Sequence, residues 1–455
     1  MNNALIDYFR CPERFASFRL KGPLPAASGF FLAGQDATCY GSCCSTASVE
    51  LSGDGLYDGL ADVTIKDGTA YLPFDPSSVA HNLRYELYIE DWREKFPRSL
   101  VLKIYYLVRP LMPIGVRRHL QKIHLGARRK SQFPRWPVDF SVDNLFSQLM
   151  LVMLRSNRVD RIPFIWFWPD AASSAAIMTH DVETELGRNF CSKLMDINSS
   201  FGVKSSFQII PEDRYEVKPE FLNSIRERGF EIAVHDLNHD GHLFENREQF
   251  LERADKINLY GKQYQASGFR AGVLYRKQAW FDALDFAFDM SVPNVGNFDP
   301  QRGGCCTVMP YFLGKILEIP VTTIQDYTLF YILNDYSIDL WKKQIELIMG
   351  KNGLVSVIVH PDYIIEGRAQ AVYKDLLGHL VHLREEKSLW IATPTEVNRW
   401  WRERAQMSLV ETNGTWRIEG PGKERARIAY ATEDKGCLVF NLLDTENAEI
   451  RSTVR

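Results

Sequence analysis

The feature that most constrains this fold is an alternation of short apolar runs with amphipathic segments between Ala171 and about Arg404. AAIMT (175–179), KSSFQII (204–210), FEIAVH (230–235), ASGFRA (266–271), DMSVP (289–293), ILEIPVT (316–322), LVSVIVH (354–360) and LWIAT (389–393) read as strands. Several are continuously apolar, as strands covered on both faces are. Between them, PEFLNSIRERG (219–229), NREQFLERADKINLYGK (246–262), RKQAWFDALDFAF (276–288), SIDLWKKQIELIMGKNG (337–353) and the run from Arg368 to Lys387 have helical spacing. The first of these ends on Gly229, as a C-terminal cap would. Strands separated by crossover helices lie parallel. The stretch is therefore predicted to form an α/β fold, either a β/α barrel or an open doubly wound sheet.

The flanks have a different texture. Residues 1–82 are predicted to be a small β-rich region, in which DVTIKDGTAYLPF (62–74) reads as two strands around an Asp-Gly turn. Residues 83–170 read as a mostly helical connecting region, residues 171–404 as the α/β domain, and residues 405–455 as a small C-terminal β unit. The connecting region holds a basic stretch from Lys95 to Arg135 with no acidic residue and with apolar residues interleaved. Such a segment can lie on an anionic membrane surface, or be a solvated helix packed on the main domain.

A formal net charge of -3 gives no case for a nucleic-acid partner. The start, MNNALIDYFRCPERF, lacks the basic and apolar regions of a secretory leader, and no run reaches the ~18 apolar residues of a membrane span. The expectation is a cytoplasmic chain; on the membrane alternative, residues 95–135 would make peripheral contact at the inner membrane face. The eight cysteines make no CxxC pair and are expected as reduced thiols.

In parallel α/β folds the loops after the strands build the site, so polar groups there deserve weight. IMTHDVETE places Asp181 and Glu183 two residues apart, on one side of an extended chain. Such a pair can hold a metal and activate water, or serve as the cap and first-turn acids of a helix. FEIAVHDLNHDGH puts His235 and His239 four apart after a buried strand, a spacing that brings two imidazoles to one cation, with His242 as an alternative ligand. In SGFRAGVLYR, Arg270 ends a strand. Its permanent charge needs a carboxylate, for which Asp181 is the obvious partner. Asp289 leads into the DMSVP strand. His360 ends LVSVIVH before Pro361 and suits general-acid work, with Asp289 to orient it and Asp362 as a rival for that role.

The order Asp-x-Glu, His-x-x-x-His, Arg, Asp, His along successive strand ends resembles the five-motif arrangement of the polysaccharide deacetylase family, with NodB homology and like carbohydrate esterase family 4. The resemblance covers about residues 171–400. It implies a distorted, incomplete β/α barrel and metal-dependent hydrolysis of an acetyl group, foremost N-acetyl (EC 3.5.1.-), on a carbohydrate. It further implies that Asp181 is the general base, that Glu183, His235 and His239 are metal ligands, and that His360 is the acid. Arg270 would tether the base and Asp289 the acid. The cation would be divalent; zinc suits two histidines and a carboxylate, and cobalt, nickel, iron and manganese are alternatives. The partner would be an acetylated amino-sugar polymer or a lipid-linked oligosaccharide.

The sequence departs from the family pattern in three places. Thr179-His180-Asp181-Val182-Glu183 stands where Thr-Phe-Asp-Asp is usual, so ligation falls to Glu183. Arg270-Ala271-Gly272-Val273 replaces Arg-x-Pro-Tyr, leaving the Val273 N–H as the implied oxyanion donor. The fourth motif lacks its tryptophan. Two competing readings are a non-catalytic carbohydrate-binding protein on the same fold and a glycosidase with paired carboxylates. The two histidines at ligand spacing speak against the glycosidase.

Overall fold

A computed structural model describes residues 3–44, 55–89, 133–365, 367–443 and 450–453. The chain divides into two compact units, one drawn from residues 1–88, 140–173 and 399–455, the other from residues 89–139 and 174–398. The basic stretch, and with it both the membrane and the packed-helix alternatives, lies up to residue 132 outside the described residues. Among the described residues, no helix is long and apolar enough to cross a membrane.

The first unit gathers three stretches that the sequence reading kept as separate regions. Thr64–Lys66 and Thr69–Leu72 pair antiparallel around Asp67 and Gly68, both at positive φ (48° and 75°). That is the backbone an Asp-Gly turn supplies at least cost. Phe18–Leu20 adds a parallel strand to the same sheet. The helix Ser141–Asn157 buries Leu145, Phe146, Leu149, Met150 and Met153 and ends at Arg158 in the left-handed region. The C-terminal hairpin, Ile428–Asp434 with Cys437–Leu443, is extended by Arg161–Ile165. The sequence reading put Arg161–Ile165 in the connecting region; in the structure its backbone finds its ladder partner nearly 270 residues later, in Ile428–Asp434. Arg404, fully buried, also donates to the carbonyls of Tyr8, Phe9, Ile165 and Trp166.

The second unit contains the predicted α/β alternation. Its strands are β1 (Ser174–Val182), β2 (Ser206–Ile209), β3 (Glu231–His235), β4 (Gly268–Arg270), β5 (Phe288–Asp289), β6 (Tyr311–Leu313), β7 (Ile316–Glu318), β8 (Leu354–Ile358) and β9 (Leu389–Ala392). They form one sheet in the order β6-β7-β5-β4-β3-β2-β1-β8, with β9 paired to the first residues of β1. Every pairing is parallel except β6 with β7. All nine residues of β1 are buried, as are those of β2, β4, β5, β7 and β8, which explains their apolar runs. Among the described residues no ladder joins β8 to β6, so the sheet is a curled, incomplete barrel.

Helices cross between the strands. Thr184 caps α1 (Glu185–Ser200) through Gly187 N–H, and Asn246 caps the helix Arg247–Gln263 through Glu248 N–H. Two local expectations change. RKQAWFDALDFAF supplies only a short 3-10 turn, Gln278–Ala283, and β6–β7 is an antiparallel hairpin with Gly314 at φ 57° in its turn.

Candidate active site

The strand register sets which side chains share a face. Asp181 pairs with Gln208, Gln208 with Ala233, and His235 with Arg270. Because side chains alternate along a strand, Asp181, His235 and Arg270 project to the same side of the sheet. His360 follows β8, whose Ile358 pairs with Thr179, so it reaches the same mouth.

There, Glu183 Oε1 stands 2.9 Å from His239 Nε2, 3.7 Å from His235 Nε2 and 3.4 Å from His360 Nε2. The Glu183, His235 and His239 donor atoms all lie within 4.8 Å of one another. Two ligands at about 2.0–2.1 Å from a tetrahedral ion stand about 3.4 Å apart, so this spacing suits one shared cation. His235 Nδ1 bonds the Arg270 carbonyl at 3.1 Å, which makes Nδ1 the protonated nitrogen and turns the Nε2 lone pair toward the cluster. The Nε2 atoms of His235 and His239 are buried and face Glu183 Oε1 without well-aligned hydrogen-bond geometry, an arrangement that suits ligands of a shared cation better than a hydrogen-bonded pair. The Glu183 side chain keeps 23% exposure while His235 keeps 1%, so the cluster is walled on the sheet side and open beyond it.

Asp181 and Arg270 form the second part. Arg270 Nη1 donates to Asp181 Oδ1 at 2.6 Å and to Thr179 Oγ1 at 2.9 Å, and its Nε holds the Met290 carbonyl. Burial works against the Asp181 charge, but Arg270, followed by His235 and His360, outweighs it and holds the pKa below the usual carboxylate value. Asp181 Oδ2 lies 3.8 Å from His235 Nε2, beside the cluster. Burial likewise opposes the Glu183 charge, and the surrounding imidazoles, His360 first, hold that carboxyl well below its ordinary range.

His360 forms the third part, and here the expectation changes. Its Nδ1 bonds Asp326 Oδ1 at 2.7 Å, and its backbone N–H donates to Asp326 Oδ2 at 2.7 Å. Burial would lower the His360 pKa; the Asp326 and Glu183 carboxylates raise it well above the ordinary value. Asp289, expected in this role, faces elsewhere. It pairs in register with Phe269, one residue before Arg270, so the pleat puts it on the opposite face. Its carboxylate accepts from the Ser291 N–H and hydroxyl, while Ser291 Oγ accepts from the Ala271 N–H. Burial and the neighbouring Asp289 charge raise the pKa of Glu318, its register partner, well above the usual carboxylate value. Asp289 thus supports the backbone next to Arg270. Asp362 makes no hydrogen bond to His360 among the described residues. His242 is 56% exposed and pairs with Glu245, outside the cluster.

The turn after β4 completes the mouth. A Cβ on Gly272 would overlap the Asp236 carboxylate, to which the Gly272 N–H donates at 3.2 Å. Val273 follows at φ 60°, a conformation that a β-branched residue rarely adopts. Asp326, missed by sequence reading, had one available signal. It is the single charged residue between Glu318 and Asp335, in an otherwise apolar and uncharged polar stretch.

No family model and no curated protein matches the chain. Among solved structures it is similar to one assigned as a polysaccharide deacetylase from Mycobacterium smegmatis, at 17% identity and a TM-score of 0.44 over 55% of this chain and 97% of that one. It is also similar to the Puue allantoinase, at 12% identity and a TM-score of 0.40 over 52% and 92%. A third is a family 4 acetyl xylan esterase from Clostridium thermocellum in complex with a cobalt ion, at 13% identity and a TM-score of 0.33 over 50% and 91%. The solved structures that this chain resembles include polysaccharide deacetylases and esterases of that kind, and the resemblance spans about half of it.

Proposed function

We propose that this protein is a hydrolase that removes acetyl groups, foremost N-acetyl, from a carbohydrate, with an acetylated amino-sugar polymer or lipid-linked oligosaccharide as substrate. The observation that carries this reading is the convergence of Glu183, His235 and His239 between an Arg270-held Asp181 and an Asp326-held His360. Glu183, His235 and His239 would hold a divalent cation, whose chemistry is to acidify a bound water and polarise an acyl carbonyl. Zinc suits the donor set, and cobalt, nickel, iron or manganese could take its place.

The remaining work falls to the chain's own side chains. Asp181, kept ionised by Arg270, accepts the proton of the attacking water. The Val273 N–H, in the turn after β4, donates to the oxyanion that forms on the acyl carbon. His360 carries its proton on Nε2 because Asp326 takes the Nδ1–H, and it gives that proton to the departing amine or alcohol. Acetate and the free amino or hydroxyl sugar are the products.

The test is acetate release from an N-acetylglucosamine oligomer by protein loaded with zinc or cobalt. Release that a chelator stops, and that His235→Ala abolishes, supports the reading. Chelator-resistant turnover, or full activity of His235→Ala, contradicts it. Oligosaccharide binding without turnover would favour a non-catalytic carbohydrate-binding protein.

A further inference from the structure

We propose that the loop after β2, residues 210–215, is a two-armed clamp that sets how tightly the Glu183–His235–His239 cluster holds a divalent cation. The inference rests on the metal reading given above. The loop contributes no ligand, yet it grips both segments that do. Arg214 donates from Nη2 to the His239 carbonyl at 2.6 Å and from Nε to the Asn238 carbonyl at 3.2 Å. The Tyr215 hydroxyl donates to the Val182 carbonyl at 2.6 Å, directly before Glu183, and accepts the Ile210 N–H at 3.1 Å. The Glu212 N–H bonds the Leu237 carbonyl at 3.0 Å, and Asn238 Nδ2 reaches Asp213 at 3.4 Å.

The His239 turn needs such a hold. Asp236 and His239 both lie in the left-handed region, at φ 57°, a conformation that side-chain-bearing residues keep only when their surroundings impose it. His239 is four residues past the end of β3, so no ladder fixes it. Released, the turn relaxes and carries the His239 imidazole away from Glu183. The other arm acts on the next ligand: a fixed Val182 carbonyl sets the peptide plane from which Glu183 leaves β1. Arg214 is exposed and spans two successive carbonyls with its planar fork, a geometry that a lysine ammonium cannot copy.

The experiment is a zinc titration of the full-length protein against a competing chelator, with the melting temperature of each metal-free form recorded alongside. Arg214→Ala and Tyr215→Phe should each weaken zinc binding about 10–100-fold, the range found for groups that orient metal ligands. Arg214→Lys should fall between Arg214→Ala and wild type. The metal-free melting temperature of the Arg214 variants should change little, because the side chain is at the surface. Because Arg214 is exposed, its variants test the clamp even if Tyr215→Phe is poorly folded. Zinc affinity within about twofold of wild type in the Arg214 variants overturns the clamp and leaves the metal site standing. A wild-type protein that binds no zinc overturns the metal reading itself.

Discussion

Replacing Asp326 by Asn keeps the side chain's shape, removes its charge and sets an amide NH2 against one of two donors. Those donors, the His360 Nδ1–H and backbone N–H, each lie 2.7 Å from a carboxylate oxygen that is wholly buried. A hydrogen bond to a charged group is worth about 1.5–3 kcal/mol. If the bond to the imidazole matters when His360 carries the proton, turnover should fall about 10–150-fold. The loss should depend on the leaving group. An amide or sugar alkoxide needs the proton, whereas the 4-nitrophenolate of an aryl acetate leaves without one. The assay therefore compares acetate release from an N-acetylglucosamine oligomer with hydrolysis of 4-nitrophenyl acetate, and records zinc affinity in parallel. The expected result is a large loss on the oligomer, a small one on the aryl ester and unchanged zinc binding. Equal losses on both substrates, or oligomer activity within about threefold of wild type, would refute the placement of His360 as an acid held by Asp326.

Three further outcomes follow from the same geometry. Arg270→Met leaves Asp181 buried without its counter-charge and should cost about 3–5 kcal/mol of stability in a urea titration; a loss under about 1 kcal/mol would contradict the pairing. Zinc at about a hundred times its dissociation constant should stabilise the metal-free protein by about 2.7 kcal/mol, seen as a rise in Tm, and Glu183→Ala or His235→Ala should abolish the rise. Burial pushes Glu231, the first residue of β3, up to about 7, above its unfolded value. A raised carboxyl pKa means that the folded state favours the proton, so the stabilisation is complete at low pH and disappears as pH climbs through about 7. Glu231→Gln should therefore gain on wild type between pH 5 and 8, by up to about 3 kcal/mol, and a constant difference across that range would refute the assignment.

How much of this was legible in the sequence depended on where each residue sits. Asp181, His235, Arg270 and His360 stand at or just past the ends of buried parallel strands, where a polar group breaks an apolar run and is visible without coordinates. Glu183 and His239 follow from them by spacing alone. Asp326 follows β7 by eight residues and opens a π-helical segment, Tyr327–Ile332, whose apolar pattern names no partner for it. Asp289 was expected in its place because the family resemblance assigns an aspartate at that point in the motif order. In the structure Asp289 pairs in register with Phe269, the residue before Arg270, so its side chain leaves the opposite face of the sheet. The four-part domain reading kept apart segments that share one compact unit in the structure. Pairing between Arg161–Ile165 and Ile428–Asp434 is a long-range choice that neither segment encodes by itself. The Gly314 turn between β6 and β7 carried a hairpin cue, but the surrounding alternation favoured a single parallel strand.

The central claim is that Glu183, His235 and His239 share one cation beside Asp181 and His360. The most direct measurement is a crystal structure of zinc-loaded protein, with anomalous scattering recorded on both sides of the zinc edge. A single strong peak within about 2.0–2.2 Å of Glu183 Oε1, His235 Nε2 and His239 Nε2 is the predicted result. A fully loaded protein with no peak there, or with its zinc on another set of side chains, would contradict the account.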